Sequence, residues 1–214
     1  MNYRELLYKN ALSTIEKIYL ESKYNPDVDL YRAFDVMNSV NESQTKSKEW
    51  LIEKLIPFIP KKHLYNICIL GSWYGYTSLM LREQVDEKVH IHNVDSDPFA
   101  RDFARKLLKG TPTENTYFVN ENAEDWIFDN IGKCDIIINT SCEHMEAEDI
   151  RLMIAMKKPN AVVCFQGNNY HSVQSHINTH DSLKDFEKSL DLTRVFYSGK
   201  FETTDYDRYM VIGI

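Results

Sequence analysis

Glu143 and His144 stand side by side just after Asp135–Asn139 (DIIIN), an apolar run that reads as a strand. A carboxylate or an imidazole at a strand end can remove a proton from an attacking amine or hydroxyl, which is the work of a general base. Asn139 and Thr140, immediately before them, can orient such a group by hydrogen bonding. The competing reading makes Glu143 and His144 a capped loop leading into the next helix. Cys142 offers a thiol nucleophile, but nothing except His144 is placed to activate it, and a small residue in a tight loop is preferred. His171, His176 and His180 invite a metal reading, the last two being one helical turn apart. No cysteine or acid completes a recognisable spacing with them, so a polar helix face is preferred and no metal is expected. Gln166, Asn168 and Asn169 are expected to line the side of the site where a second substrate sits. Tyr74 and Tyr76 either join them or simply pack.

A second constellation must lie close by. Ile67–Leu70 is a four-residue apolar run of the kind buried on both faces in a parallel sheet. It ends at Gly71, Gly75 follows, and Thr77–Arg82 begins a helix. Strand, glycine turn and helix together point helix N-terminal N–H groups at a ligand. Twenty residues after Gly75, Asp95 ends the next expected strand, Val89–Val94. An acid there is placed to accept the hydroxyls of a ribose. The alternative is a tight turn with no nucleotide.

The elements that must position these groups follow in order. Residues 1–24 read as a helix with Leu6, Leu7, Ala11, Ile15, Ile18 and Tyr19 on one face. A short helix is expected near 29–37. Residues 38–48 (NSVNESQTKSK) read as a solvated loop or a flap over the ligand. Ser47 then caps a helix that Pro57 and Pro60 end. Strands are expected at 66–70, 89–94, 116–119, 135–139 and 161–165, alternating with helices near 76–84, 98–108, 126–131 and 148–157. Gly110 stops the second of these helices. A polar loop at 166–170, a helix at 181–191 and two strands, 191–198 and 209–214, forming an antiparallel hairpin, complete the chain. The division predicted is a helical N-terminal extension, 1–62, and an α/β domain, 63–214.

The totals bound the function. The chain has 214 residues, 43% hydrophobic and 27% charged, with a formal net charge of −7. That charge argues against broad binding to nucleic acid or anionic membrane. Cys68, Cys134, Cys142 and Cys164 fit no zinc spacing and read as free, buried thiols of a reduced, cytoplasmic protein. The N-terminus lacks a signal-peptide core, and no run reaches transmembrane length.

Five βα units closed by a terminal hairpin resemble the class I S-adenosylmethionine (SAM)-dependent methyltransferases, over about residues 48–214. Ile67–Gly75 (ICILGSWYG) resembles the family's glycine-rich first motif. Asn93–Pro98 (NVDSDP) resembles the second strand with its ribose acid. Asn122–Asp125 (NAED) resembles the adenine loop, and Asp135–Asn139 resembles the fourth strand, whose end carries the catalytic loop. The resemblance implies a doubly wound, Rossmann-like sheet and SAM as cofactor. It implies a cofactor site of Gly71, Ser72, Trp73, Gly75, Asp95, Ser96, Asn122, Ala123, Asn139 and Thr140, with Glu143, His144 and Asn139 as the catalytic set. Ile69 stands where the family usually has an acid, Trp73 replaces the middle glycine, and Asn122 replaces the adenine-loop acid. GSWYG lacks the G-x-G pair of a nicotinamide site, and there is no Walker A lysine. GSWYG together with NTSCEHM also resembles methyltransferase-like proteins encoded by phages and bacteria.

Two functions follow. One is a SAM-dependent methyltransferase acting on a small molecule or a protein side chain. The other is a non-catalytic structural or assembly subunit, for instance of a virus particle, that self-associates through its N-terminal helices.

Overall fold

The computed structural model describes residues 3–60, 64–107 and 114–214. Seven strands form one sheet: β1 (Asn66–Leu70), β2 (His90–Asp95), β3 (Thr116–Asn120), β4 (Ile136–Asn139), β5 (Val162–Asn168), β6 (Val195–Glu202) and β7 (Asp207–Gly213), in the order β3-β2-β1-β4-β5-β7-β6. The first five are mutually parallel. The terminal hairpin forms as expected, and β7 runs antiparallel between β5 and β6. Strand order reverses at β1, which has β2 on one side and β4 on the other. In an open α/β sheet the crevice for a ligand opens at that reversal, beyond the strands' C-terminal ends.

Alternation along β1 shows why both faces are covered. Ile67 and Ile69 point into one core, Cys68 and Leu70 into the other, and all four are fully buried. The first core is closed by α1 (Tyr3–Ser22), α2 (Tyr31–Ser39), α3 (Glu42–Leu55), α4 (Tyr76–Arg82) and α5 (Pro98–Leu107). The second is closed by α6 (Ala123–Asn130), α7 (Ala147–Met156) and α8 (Leu183–Leu190). The apolar faces are buried at Phe103, Ala104 and Leu107 on α5 and at Phe186 and Leu190 on α8, while Phe99 and Leu183 are only half-buried. Leu7, Val36, Leu51 and Leu55, from the first three helices, share one cluster with Ile67 and Ile69.

Five expectations are corrected. Residues 38–48 are helical except at the junction Val40–Asn41. Asn41, not Ser47, is the cap: its side-chain oxygen accepts from the Gln44 N–H at 2.8 Å. The stretch is polar because its inward side is polar, with Thr45, Ser47 and Lys48 all buried. Tyr19 is not on the buried face of α1 and is 57% exposed. The loop expected at 166–170 is strand as far as Asn168, because β7 pairs along it through Gln166–Met210, Gly167–Tyr209 and Asn168–Arg208. Helix α6 begins at Ala123 instead of 126. The stop at Gly110 lies outside the described residues.

Leu51 is fully buried between α3 and the sheet. Leu51→Ala is expected to lower the free energy of global unfolding by about 2–5 kcal/mol in urea denaturation. An unchanged main transition would mean that the N-terminal helices are a separable arm.

Candidate functional site

The turn after β1 is built from left-handed backbone at alternate positions: Gly71 at φ +59°, Trp73 at +47° and Gly75 at +76°. A Cβ on Gly71 would lie 2.7 Å from Ser141 Oγ, so the turn after β1 and the loop after β4 touch there. A Cβ on Gly75 would lie 2.8 Å from the Ala104 Cβ, so helices α4 and α5 close over it. Trp73 has no glycine's freedom and is held by its neighbours. Its backbone N–H donates to Asp95 Oδ2 at 2.6 Å, and its indole Nε1 to Asp35 Oδ2 at 3.3 Å. The other Asp95 oxygen accepts from the Asp97 N–H at 3.0 Å. Burial pushes the Asp95 carboxyl up from its ordinary value, and these two N–H groups oppose the shift.

Beyond the C-terminal ends of β1, β2 and β4 lies a cavity of about 620 Å³. Gly71, Ser72, Trp73 and Asp95 form its floor, and Thr140, Glu143 and His144 form one wall. Asn38, Asn41, Gln44 and Lys48, from α2, α3 and their junction, form the roof. The predicted floor and wall therefore meet in one space.

Other predicted residues sit elsewhere. Asn139 is fully buried beneath the cavity. Its Oδ1 accepts from the Ser141 N–H at 2.9 Å and its amide faces Met145 Sδ at 3.2 Å, so it shapes the loop after β4. Gly75 acts through its backbone as the first residue before α4. Ser96 is exposed, and its carbonyl accepts from the Asn120 amide. Asn122 is exposed at the start of α6, and Ala123 is buried in that helix's first turn. Asn168 and Asn169 accept backbone N–H groups, from Tyr170 and Asp207, and brace the loop after β5. Gln166 is buried against Ser47 and Met210. Tyr74 and Tyr76 pack on Phe103. Cys142 is buried and its thiol is pushed well up by burial, as for a packed residue. His171, His176 and His180 lie in irregular backbone, not on a helix face, and only His176 lines the cavity.

Sequence reasoning missed two buried charges. Lys48 is 6% exposed, its Nζ donates to Gln44 Oε1 at 2.9 Å, and it stands 5.7 Å from the Trp73 ring centroid. Burial, reinforced by the charge of Arg208 and opposed by Glu143, pushes its amine down to about 7. Arg208 is 5% exposed. It faces Glu143 Oε1 at 3.6 Å, the Thr140 carbonyl at 3.4 Å and the Tyr206 hydroxyl at 3.2 Å. Lys48 is hidden in a stretch whose polarity reads as a loop. Arg208 left one signal, a charge immediately before the apolar run Tyr209–Ile214.

No protein-family model matches the sequence, and no curated protein matches it. Solved structures do. The N-methyltransferase NodS from Bradyrhizobium japonicum WM9 aligns with a TM-score of 0.64 at 12% identity, over 82% of this chain and 97% of that one. A SAM-dependent methyltransferase from Agrobacterium tumefaciens aligns with a TM-score of 0.58 at 14% identity, over 80% of this chain. The match spans 62% of the Agrobacterium protein. A point mutant of MtNAS in complex with S-adenosylmethionine aligns with a TM-score of 0.59 at 11% identity, over 98% of this chain and 72% of that one. The fold is that of the SAM-dependent methyltransferases. The seven-stranded, Rossmann-like sheet with its antiparallel end agrees with the resemblance read from the sequence. Among the described residues no helix is long and apolar enough to cross a membrane.

The neutral preference of Lys48 has a measurable sign. Below about pH 7 the lysine is protonated in both folded and unfolded chains, and the folded state bears the full cost of burying the charge. That cost shrinks as pH rises through the window between the folded value and the ordinary lysine value, where only the unfolded chain still binds the proton. Lys48→Met should therefore melt higher than the parent near pH 6, with the gap narrowing steadily toward pH 10 in thermal scans.

Proposed function

We propose that this protein is a SAM-dependent methyltransferase acting on a small molecule or a protein side chain. The observation that supports it is the cavity at the strand reversal, whose floor is the Gly71–Trp73 turn and Asp95. The residues fit such a cofactor: a cavity of about 620 Å³ is of ligand size. Asp95 is fixed by two N–H bonds yet keeps lone pairs for ribose hydroxyls. Trp73 lines the space without filling it, because its indole is tied to Asp35. Bound SAM would supply a methyl carbon on a positively charged sulfur. The chain's own task is alignment and, for an acceptor that carries a proton, its removal.

Among the groups able to take a proton that line the cavity are Glu143, His144 and Lys48. Glu143 faces Arg208 through Oε1, and His144 Nδ1 lies 3.1 Å from the Ser175 carbonyl. The Lys48 amine, held near neutrality, suits a base that works around pH 7. Arg208 and Glu143 then orient a polar acceptor.

A second reading uses the same site for a different carbon. The neighbours that align with 98% of the chain, N-terminal helices included, are structures of MtNAS, one of them in complex with MTA and tNA. Transfer of the methyl group from SAM leaves S-adenosylhomocysteine, whereas transfer of its 3-amino-3-carboxypropyl arm leaves methylthioadenosine. Assembly through the N-terminal helices is a separate proposal, motivated by the exposed side chains of Leu12, Tyr24, Tyr31 and Phe34. Light scattering at increasing concentration should show growth in mass, and a constant monomer would refute it.

Calorimetry with SAM is expected to give one site per chain. Asp95→Ala should weaken binding roughly 10- to 150-fold, the worth of a hydrogen bond to a charged group. Chromatography of a reaction with candidate acceptors then separates the two alkyl-transfer readings by product. Lys48→Met should lower kcat by roughly 10²- to 10⁴-fold while SAM still binds. Absence of SAM binding by the folded parent would favour the non-catalytic subunit.

A further inference from the structure

His144 and His176 reach the same corner of the cavity from different loops. His144 ends the short turn Cys142–His144 after β4, and His176 lies in the irregular segment after β5. The two loops are sewn together by backbone. The Ile177 and Asn178 N–H groups donate to the Glu143 carbonyl at 2.9 and 3.1 Å, and the Asn178 amide donates to the Cys142 carbonyl at 3.2 Å. The imidazole rings stand 4.7 Å apart, centroid to centroid, at 81°.

Each ring is oriented by a carbonyl. His144 Nδ1 lies 3.1 Å from the Ser175 oxygen, and His176 Nδ1 lies 2.9 Å from the Tyr170 oxygen. A carbonyl can only accept, so both Nδ1 atoms carry the hydrogen, and each neutral ring keeps its lone pair on Nε2. An imidazole fixed in this way is the usual arrangement of a metal-ligating histidine. The third group is Glu143, 3% exposed, whose Oε2 is buried without a hydrogen-bond partner among the described residues. Arg208 approaches its other oxygen, Oε1. One donor atom from each of Glu143, His144 and His176 lies within 4.8 Å of the other two.

We propose that Glu143, His144 and His176 bind a divalent transition-metal cation on the wall of the cavity. Two imidazoles and a single carboxylate favour zinc, cobalt or nickel over calcium or magnesium, which take oxygen-rich sets. Three protein ligands leave a coordination position open toward the cavity, as in sites where a metal meets a substrate. Arg208, and Lys48 on the roof, oppose a second cation nearby, so the site holds one metal and not a cluster. The proposal does not rest on the cofactor reading, because it is tested without SAM.

The test is calorimetric titration of chelator-treated protein with zinc chloride, paired with the visible absorption of a cobalt titration. The expected result is one zinc per chain and cobalt bands of nitrogen–oxygen coordination. His144→Ala and His176→Ala should each weaken zinc binding by more than roughly tenfold, the least that loss of even an outer-sphere partner costs a metal site. His176 is not deeply buried, so its variant is expected to fold, which circular dichroism checks. His171→Ala should leave the affinity unchanged, because that ring pairs with Asp181 and Thr179. Equal zinc affinity in the parent and both cavity variants, or no zinc binding by the folded parent at millimolar metal, would overturn the proposal.

Discussion

The bond from the Trp73 N–H to the Asp95 carboxylate is the constraint on which the site depends. It ties the turn after β1 to the end of β2 and fixes a tryptophan in left-handed backbone. That conformation carries the indole to Asp35, which also accepts from the Tyr74 hydroxyl at 2.5 Å. Asp35 belongs to α2, so one carboxylate links the floor of the cavity to its roof. The ion pair of Arg32 with Asp97 repeats the link one helical turn earlier. The roof is thus positioned by polar contacts to the same two strand ends that would hold a nucleotide.

Burial explains the rest of the site's chemistry. Lys48, Glu143 and Arg208 are all nearly removed from water, yet they make few direct bonds to one another. A buried charge without full partners is costly, and proteins keep such groups chiefly where a substrate or ion completes them. The unpartnered Glu143 Oε2 and Arg208 Nε fit that description.

The parts legible in the sequence were those with short-range grammar. The run ICILGSWYG, the acid after the second strand and the strand-end pair Glu143–His144 all depend on local turns and on β periodicity, and they meet in the cavity. The roof was illegible because its inward face is polar. The first half of α3 buries Thr45, Ser47 and Lys48, so its apolar stripe starts only at Leu51 and the roof shows none to read. Asn168 misled for the opposite reason: polar residues that look like a loop are strand when a distant partner, here Arg208, pairs with them. His176 was visible as a residue, but its partners came from a loop more than thirty positions away.

Lys48 and Arg208 come from opposite ends of the chain, and Glu143 lies between them in sequence. During synthesis the roof helices emerge long before β7, the strand that places Arg208 between β5 and β6. Until that strand inserts, Glu143 has no guanidinium beside it and the sheet has an open edge at β5. The pocket therefore completes only when β7 docks, which makes the occupancy of the site a report on whether β7 has inserted between β5 and β6.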